Sequence, residues 1–153
     1  MGLSGTIVEE LKGIGARVFA IPAAVIVGTT IVAIIVGFVL PQINVRESLA
    51  ISYGFGWYTY APVAIANAGH EIAGAISFLH NVIRELGGLV LIPLLAKRVG
   101  YIEVTSLPGI AAMDICLPII QRATREEIIA YAFAVGFIEE VATTVLVPII
   151  IGA

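Results

Sequence analysis

The sequence VFAIPAAVIVGTTIVAIIVGFVL, residues 18–40, contains no charged side chain. As an α-helix it would extend about 34 Å, enough to cross the hydrocarbon core of a bilayer, which is roughly 30 Å thick. Small residues recur every four positions, at Ala16, Ala20, Ala24 and Gly28. Such a stripe lets membrane helices approach one another closely. This stretch therefore predicts a transmembrane helix that packs against another helix.

The composition of the whole chain agrees with a membrane location. Of 153 residues, 59% are hydrophobic and 12% are charged, and the mean hydropathy is +1.06. A soluble domain carries about 25% charged residues. The composition predicts an integral membrane protein. We expect residues 1–16 to form a polar or amphipathic lead-in without a secretory signal peptide, and residues 17–153 to form a single transmembrane helical domain.

Several classes of chemistry find no support in the sequence. The one cysteine, Cys116, excludes an internal disulfide and a thiolate metal cluster. His70 precedes Glu71, but no second histidine follows at the spacing of a metalloprotease helix. There is no phosphate-binding loop, dinucleotide fingerprint or basic patch for nucleic acid. We therefore expect no metal, no cofactor, no nucleic-acid partner and no catalytic residues.

Four further apolar segments follow the first one, at residues 48–68, 72–96, 102–121 and 128–151. Gly54, Gly56 and Pro62 interrupt the first of these four, and Pro108, Gly109 and Pro118 interrupt the third. Glycine and proline at such positions predict broken helices, whether the segment crosses the membrane or re-enters it. The predicted fold is an all-α membrane protein with about five hydrophobic segments, some of them discontinuous.

Charged residues occupy the centres of three of these segments. They are Arg84, Glu85, Asp114, Glu139 and Glu140. In the insertion scale, one aspartate at the centre of a membrane helix costs about 3 kcal/mol. Fully ionised, the five side chains sum to a charge of minus three, which a low-dielectric interior does not hold without cations, protons or water. The pattern predicts binding of a cationic substrate or of protons at these side chains.

Other interpretations of the same residues remain open. In one interpretation, Arg84 or Glu85 pairs with a side chain on another helix as a structural lock. In another, Glu139 and Glu140 form a pair at the membrane interface. Trp57, Tyr58 and Tyr60 belong either to an interfacial aromatic belt or to the wall of a site at the helix break.

A polar stripe on one helix face adds to the candidate site. Ser77, Asn81 and Arg84 are three or four residues apart, with His80 beside them. His80 is interpreted as a hydrogen-bond donor between helices rather than as a metal ligand. The residues expected to form the break or to line the site are Gly54, Gly56, Trp57, Tyr58, Asn81, Met113 and Pro118.

Several motifs resemble those of a known membrane family. They are Gly-Phe-Gly-Trp-Tyr-Thr at 54–59, Arg-Glu-Ser-Leu-Ala at 46–50, Phe-Leu-His-Asn-Val-Ile-Arg-Glu-Leu at 78–86, Leu-Ile-Pro-Leu-Leu at 91–95, Met-Asp-Ile-Cys-Leu-Pro-Ile-Ile-Gln-Arg at 113–122 and Val-Pro at 147–148. In this order and spacing, the chain resembles the C-terminal half of the LysO-type lysine exporters, over roughly residues 11–151.

The resemblance implies a function and an assembly. Members of that family export lysine and its toxic analogues across the cytoplasmic membrane and need intramembrane aspartates, of which Asp114 matches the C-terminal one. The other key aspartate of the family lies in an N-terminal half outside this match. The resemblance therefore implies a split exporter, paired with a separate membrane subunit or assembled with itself.

The chain departs from the family pattern in two places. Gly109-Ile-Ala-Ala112 replaces the usual Gly-Ala-Thr-Ser before Met113, and Val135-Gly136 replaces the usual His-Gly in the last segment. Glu139 and Glu140 follow in what looks like an inserted turn and have no counterpart in the family.

These observations predict a membrane transporter subunit that exports lysine or a related cationic amino acid in exchange for protons. Asp114 would be the main carboxylate, and Arg84 and Glu85 would set the electrostatics or act as a gate. One alternative is a structural or regulatory membrane subunit. Another is an enzyme resembling intramembrane glutamic proteases, which the Glu139–Glu140 pair suggests and the absence of an arginine at Thr143 or Thr144 disfavours.

Overall fold

In the computed structural model, which describes residues 17–152, the protein is all-helical. The predicted lead-in at residues 1–16 lies outside the described residues, and the division of the chain there stays a prediction. Within the described range there are six α-helices, two 3₁₀ helices and no strand. The α-helices are α1 Arg17–Val39, α2 Val45–Ser52, α3 Ala61–Asn67, α4 Glu71–Val99, α5 Leu117–Ala123 and α6 Ile128–Ile151, and the 3₁₀ helices are Glu103–Ser106 and Gly109–Met113.

Three of these helices are long and apolar enough to cross a membrane. They are α1 from Val18 onward, α4 and α6. The prediction for α6, residues 128–151, matches its bounds, and α4 is longer than the predicted 72–96. Large apolar side chains on these helices are exposed, for example Phe38 at 79% and Ile72 at 74%, as expected for surfaces that face lipid. The prediction of an all-α membrane protein is confirmed.

The two segments predicted to be discontinuous are broken. The first comprises α2 and α3 with residues 53–60 between them, and the second comprises the two 3₁₀ helices and α5. In each, a proline lies in the first turn of the following short helix, Pro62 in α3 and Pro118 in α5. Proline fits there because the first helical N–H groups have no partner within the helix.

The two breaks lie against each other, and this contact between residues 53–60 and 108–110 is called the crossing below. The N–H of Ile110 donates to the carbonyl oxygen of Phe55 at 2.9 Å. Gly56 has φ +93, and a Cβ on it would lie 2.7 Å from the carbonyl oxygen of Pro108. Gly109 has φ +71, and a Cβ there would collide with the Phe55 carbonyl. Glycine is therefore required on both sides of the crossing, for the left-handed backbone and for the close approach.

Helix α6 packs across this crossing. Gly136 allows the close contact, since a Cβ there would lie 2.9 Å from the carbonyl oxygen of Ile110. About two turns further on, the buried hydroxyl of Thr143 donates to the carbonyl oxygen of Tyr53 at 2.9 Å. The middle of α6 therefore meets both breaks, and it brings Glu139 and Glu140 to the same level as the crossing.

Candidate functional site

A cavity of about 170 Å³ lies beside the crossing and is lined by three carboxylates. They come from three different elements: Glu85 from α4, Asp114 from the turn before α5, and Glu140 from α6. The remaining lining residues are Gly56, Trp57, Tyr58, Thr59, Ile110, Ala111, Met113 and Ile115. None of the lining residues is a lysine, arginine or histidine, so the described part of the chain provides this cavity with negative charge alone.

Asp114 is held by its own backbone and not by an ion pair. Its Oδ1 accepts a hydrogen bond from the N–H of Ile115 at 2.5 Å. Residue 114 follows the second 3₁₀ helix and is itself non-helical, with φ −133 and ψ −93. The helix is therefore interrupted at Asp114, and the side chain is exposed in this chain. The exposed carboxylate is accessible from the cavity that it lines.

Aromatic side chains form one wall of the cavity. The Trp57 ring stacks on Tyr60 with centroids 4.7 Å apart. Tyr58 meets Phe78 edge-on at 6.2 Å. Both Trp57 and Tyr58 line the cavity, which favours the site-wall interpretation over an interfacial belt. Aromatic faces attract cations, most strongly when water is excluded.

The other two central charges form a separate, buried ion pair. Nη2 of Arg84 lies 3.4 Å from Oε2 of Glu139, whose side chain is 0% exposed. The Arg84 guanidinium also donates to the carbonyl oxygens of Ser106 at 3.2 Å and Leu107 at 3.4 Å. It lies 5.2 Å from the centroid of the Phe55 ring. This geometry matches the alternative interpretation in which Arg84 pairs with another helix as a structural lock.

The five predicted charges are therefore divided between two places. The Arg84–Glu139 pair is neutral as a unit and joins α4 to α6. The other three carboxylates line the cavity, and fully ionised they would account for the whole charge of minus three calculated from the sequence. Glu139 and Glu140 are adjacent in sequence and face different surroundings, since Glu139 contacts Arg84 and Glu140 lines the cavity.

Asn81 supports the first break from behind the cavity. Its Oδ1 accepts the N–H of Gly56 at 2.8 Å, and its Nδ2 donates to the carbonyl oxygen of Ser77 at 2.8 Å. The side chain is 0% exposed. Gly54 is needed because a Cβ there would lie 2.7 Å from Oδ1 of Asn81.

The predicted lining residues are accordingly only partly at the cavity. Gly56, Trp57, Tyr58 and Met113 line it. Gly54 and Asn81 shape the break behind it, and Pro118 is exposed at the start of α5. Phe55 and Gly109 form the crossing. The sequence indicated Gly109 as part of the second break. It gave Phe55 no role, and the position of Phe55 between two glycines was the available signal.

Residues 17–152 contain no group of three or more histidine, cysteine, aspartate or glutamate side chains placed to hold a metal ion.

A helical membrane protein in which two broken segments lie against each other shares this feature with secondary transporters, which use discontinuous helices. The family model described as "Lysine exporter LysO" matches residues 1–151, and the chain belongs to this family. The predicted family is confirmed.

Two curated relatives support the assignment. A protein of Haemophilus influenzae named "Putative lysine exporter" is 36% identical over 109 residues, which cover 70% of this chain and 52% of that protein. A protein of Escherichia coli named "Lysine exporter LysO" is 30% identical over 135 residues, which cover 88% of this chain and 43% of that protein. The chain spans about half the length of these relatives. No solved structure matches it.

Proposed function

We propose that this chain forms part of a cytoplasmic-membrane exporter of lysine or a related cationic amino acid. The observation that carries the proposal is the cavity in which Glu85, Asp114 and Glu140 meet beside two helix breaks. The names of the two relatives and of the family supply the substrate class.

The electrostatics of the cavity favour exchange of a cation for protons. Carboxylates that share a small space of low dielectric constant repel one another, and each is costly to keep charged without a partner. An ammonium group supplies that partner on one half of the cycle, and protons supply it on the other. Antiport with protons is the transport mode that this alternation supports.

The test of the site is lysine efflux from proteoliposomes that contain the full chain. We expect Asp114→Asn to abolish efflux while the protein keeps its thermal stability, because the side chain makes only a local backbone contact. Glu126→Gln is the matched control, since Glu126 is an exposed carboxylate in the connection before α6 and should leave efflux unchanged. Normal efflux by a folded Asp114→Asn protein would contradict the assignment.

Proton exchange is tested in the same vesicles. An outwardly directed lysine gradient should drive protons in the opposite direction, which a pH-sensitive dye trapped inside the vesicles reports. Lysine efflux without any proton movement would contradict antiport and leave the cation site standing.

We further propose that another membrane segment completes the assembly, as a separate subunit or a second copy. Asp114 is exposed, and the neighbouring Ile115 is 51% exposed, in a stretch of non-helical backbone. Neither an aspartate nor such backbone faces lipid in the hydrocarbon region. A photo-crosslinking residue at position 115 should capture a membrane polypeptide, whereas lipid adducts alone would contradict this assembly.

A structural or regulatory subunit is the second candidate. It is favoured by the Arg84–Glu139 pair and by Asn81, whose contacts join elements of the fold. In that case Asp114→Asn, Glu85→Gln and Glu140→Gln would each weaken assembly in proportion to any loss of efflux. The transporter proposal instead expects loss of efflux with assembly intact.

A further inference from the structure

A second cavity, distinct from the acidic one, lies between α1, the end of α2 and α4. Its volume is about 310 Å³, and it is lined by Gly28, Thr29, Val32, Ser52, His80 and Arg84. No lining residue is acidic. The polar groups are a guanidinium, an imidazole and two hydroxyls, so hydrogen-bond donors dominate the cavity.

Arg84 has donor capacity left over at this cavity. A guanidinium carries five N–H donors. The Nε group binds the carbonyl of Leu107, and Nη2 binds the carbonyl of Ser106 and Oε2 of Glu139. Within residues 17–152, Nη1 makes no hydrogen bond. Leaving two donors of a cation unsatisfied in a membrane interior is unfavourable, and an oxygen anion in the cavity would satisfy them.

The two hydroxyl groups are free as well. In the described part of the chain, the side chains of Thr29 and Ser52 make no hydrogen bond, whereas the neighbouring Thr30 binds the carbonyl of Ile26 at 2.7 Å. Thr29 is therefore free to donate to a ligand in the cavity. Together with Arg84 it offers the charge-assisted donors that carboxylates select.

The depth of the cavity restricts the source of the anion. Thr29 lies near the middle of α1, and Arg84 lies near the middle of α4. Both are thus about 15 Å or more of helix away from the helix ends, where phospholipid head groups lie. A solute that has entered the protein reaches this level more readily than a lipid phosphate.

The charged groups of the two cavities are complementary to the charges of an amino acid. The carboxylates Glu85, Asp114 and Glu140 attract ammonium groups and repel a carboxylate. Glu85 lines that cavity and the preceding residue, Arg84, lines the second one. Consecutive helix residues point about 100° apart, so cation and anion recognition lie on adjoining faces of one turn of α4.

We propose that the second cavity binds the carboxylate of the amino-acid substrate through Arg84, Thr29 and Ser52. The identity of the ligand as an amino acid rests on the proposed function, while the preference for a carboxylate follows from the donors alone. The cavity then distinguishes amino acids from polyamines that carry the same ammonium groups.

The test compares lysine with 1,5-diaminopentane, which is lysine without its carboxylate. Binding of each is measured by isothermal titration calorimetry on the full chain in nanodiscs of phosphatidylcholine. We expect lysine to bind about tenfold more tightly, as the loss of one or two charge-assisted hydrogen bonds implies. Equal affinities would overturn the proposal and leave the cavity as a space for water only.

Substitutions then locate the effect. Thr29→Val should weaken lysine binding about tenfold and leave diamine binding unchanged, since valine keeps the shape and removes one hydrogen bond. Thr144→Val is the matched control, because Thr144 is exposed on α6 and its hydroxyl binds the carbonyl of Val141 in the same helix. Equal weakening of both ligands by Thr29→Val, or no weakening of either, would overturn the assignment. Ser52→Ala provides an independent variant in case Thr29→Val does not fold.

Two further measurements distinguish the ways in which the proposals could be wrong. Asp114→Asn should weaken the binding of both lysine and the diamine. If neither ligand binds the native protein, the proposed function fails together with this site. If both bind equally and depend on Asp114, only the carboxylate site fails. In nanodiscs that contain phosphatidylglycerol the preference for lysine should persist, and its disappearance would assign the cavity to a lipid phosphate and overturn the amino-acid proposal.

Discussion

The backbone N–H of Ile110 donates to the carbonyl oxygen of Phe55 at 2.9 Å, and this bond joins the breaks of two discontinuous segments. Each break has unpaired backbone groups that membrane lipid does not satisfy. By crossing, the segments satisfy part of this need within the protein. The crossing also fixes where Asp114 leaves the second segment, so the geometry of the acidic cavity depends on it.

Adjacent glycines of α4 give a direct test of this packing. A Cβ on Gly88 would lie 2.6 Å from Cβ of Pro108, whereas a Cβ on Gly87 meets nothing within 4 Å. We expect Gly88→Ala to lower the free energy of unfolding by about 1–3 kcal/mol through overpacking. Gly87→Ala should raise it by about 0.5–1 kcal/mol, since alanine suits a helix interior better. Thermal unfolding in detergent measures both, and equal effects would contradict the close approach of Pro108 to α4.

The Arg84–Glu139 pair should behave as a coupled unit. Arg84→Met or Glu139→Leu alone should cost about 3–5 kcal/mol of stability, because each leaves one buried charge unpaired. Arg84→Met should cost more, since it also removes the donors to Ser106 and Leu107. The double variant should cost clearly less than the sum of the two single changes. Arg98→Met, at the exposed end of α4, serves as the control with an effect within about 0.5 kcal/mol, and strict additivity would contradict the pairing.

The pattern of long apolar stretches and glycine–proline breaks was sufficient to predict the helices. Residues 128–151 were predicted as one segment because no proline or glycine combination interrupts them early, and they form α6. Gly54 and Gly56 marked the first break correctly because left-handed backbone and close approach both require glycine. These features depend on a few residues near one another in the chain.

The division of the charges was not predictable from one sequence. Arg84 and Glu139 are 55 positions apart, and their contact depends on how α4 and α6 are rotated against the crossing. Their neighbours Glu85 and Glu140 point the other way, to the cavity. Helical spacing shows that adjacent residues diverge by about 100°, but it does not show which member of each pair faces which site. The second cavity was missed because it combines Thr29 and Ser52, hydroxyl residues that carry no charge.

Asn81 should matter more to stability than the serine it contacts. Asn81→Ala leaves the buried N–H of Gly56 without its acceptor, which should cost about 1–3 kcal/mol. Ser77→Ala removes only the 3.1 Å contact between the hydroxyl and Nδ2 of Asn81, because Nδ2 also donates to the Ser77 carbonyl. Its cost should stay below about 1 kcal/mol. The unfolding midpoints of the two variants decide the order, and a larger loss for Ser77→Ala would contradict the supporting role of Asn81.

Glu47, outside the three long helices, should make stability depend on pH. Its carboxylate accepts the N–H of Asn44 at 3.0 Å in a capping box at the start of α2 and contacts Nδ1 of His70 at 2.8 Å. The hydrogen bond from the Asn44 backbone, followed by the bond with His70, lowers the pKa of Glu47 below its usual value of 4.5. The folded state therefore binds this proton less readily than the unfolded state.

The sign of the effect follows from that difference. The contribution of Glu47 is fully present above the unfolded pKa near 4.5 and is lost as the pH falls through the lower folded pKa. Glu47→Gln should thus lower the unfolding temperature at pH 7, because glutamine still accepts the Asn44 N–H but removes the negative charge from the first turn of α2. The expected loss is about 0.3–1 kcal/mol. The difference from the native protein should shrink as the pH falls below that range.

The nearby Glu71, which lines the same surface cavity as Glu47 and His70, provides the control: Glu71→Gln keeps the capping box intact. A Glu47→Gln deficit that stays constant from pH 7 down to pH 3 would show that the carboxylate stabilises the protein by its shape and not by its charge.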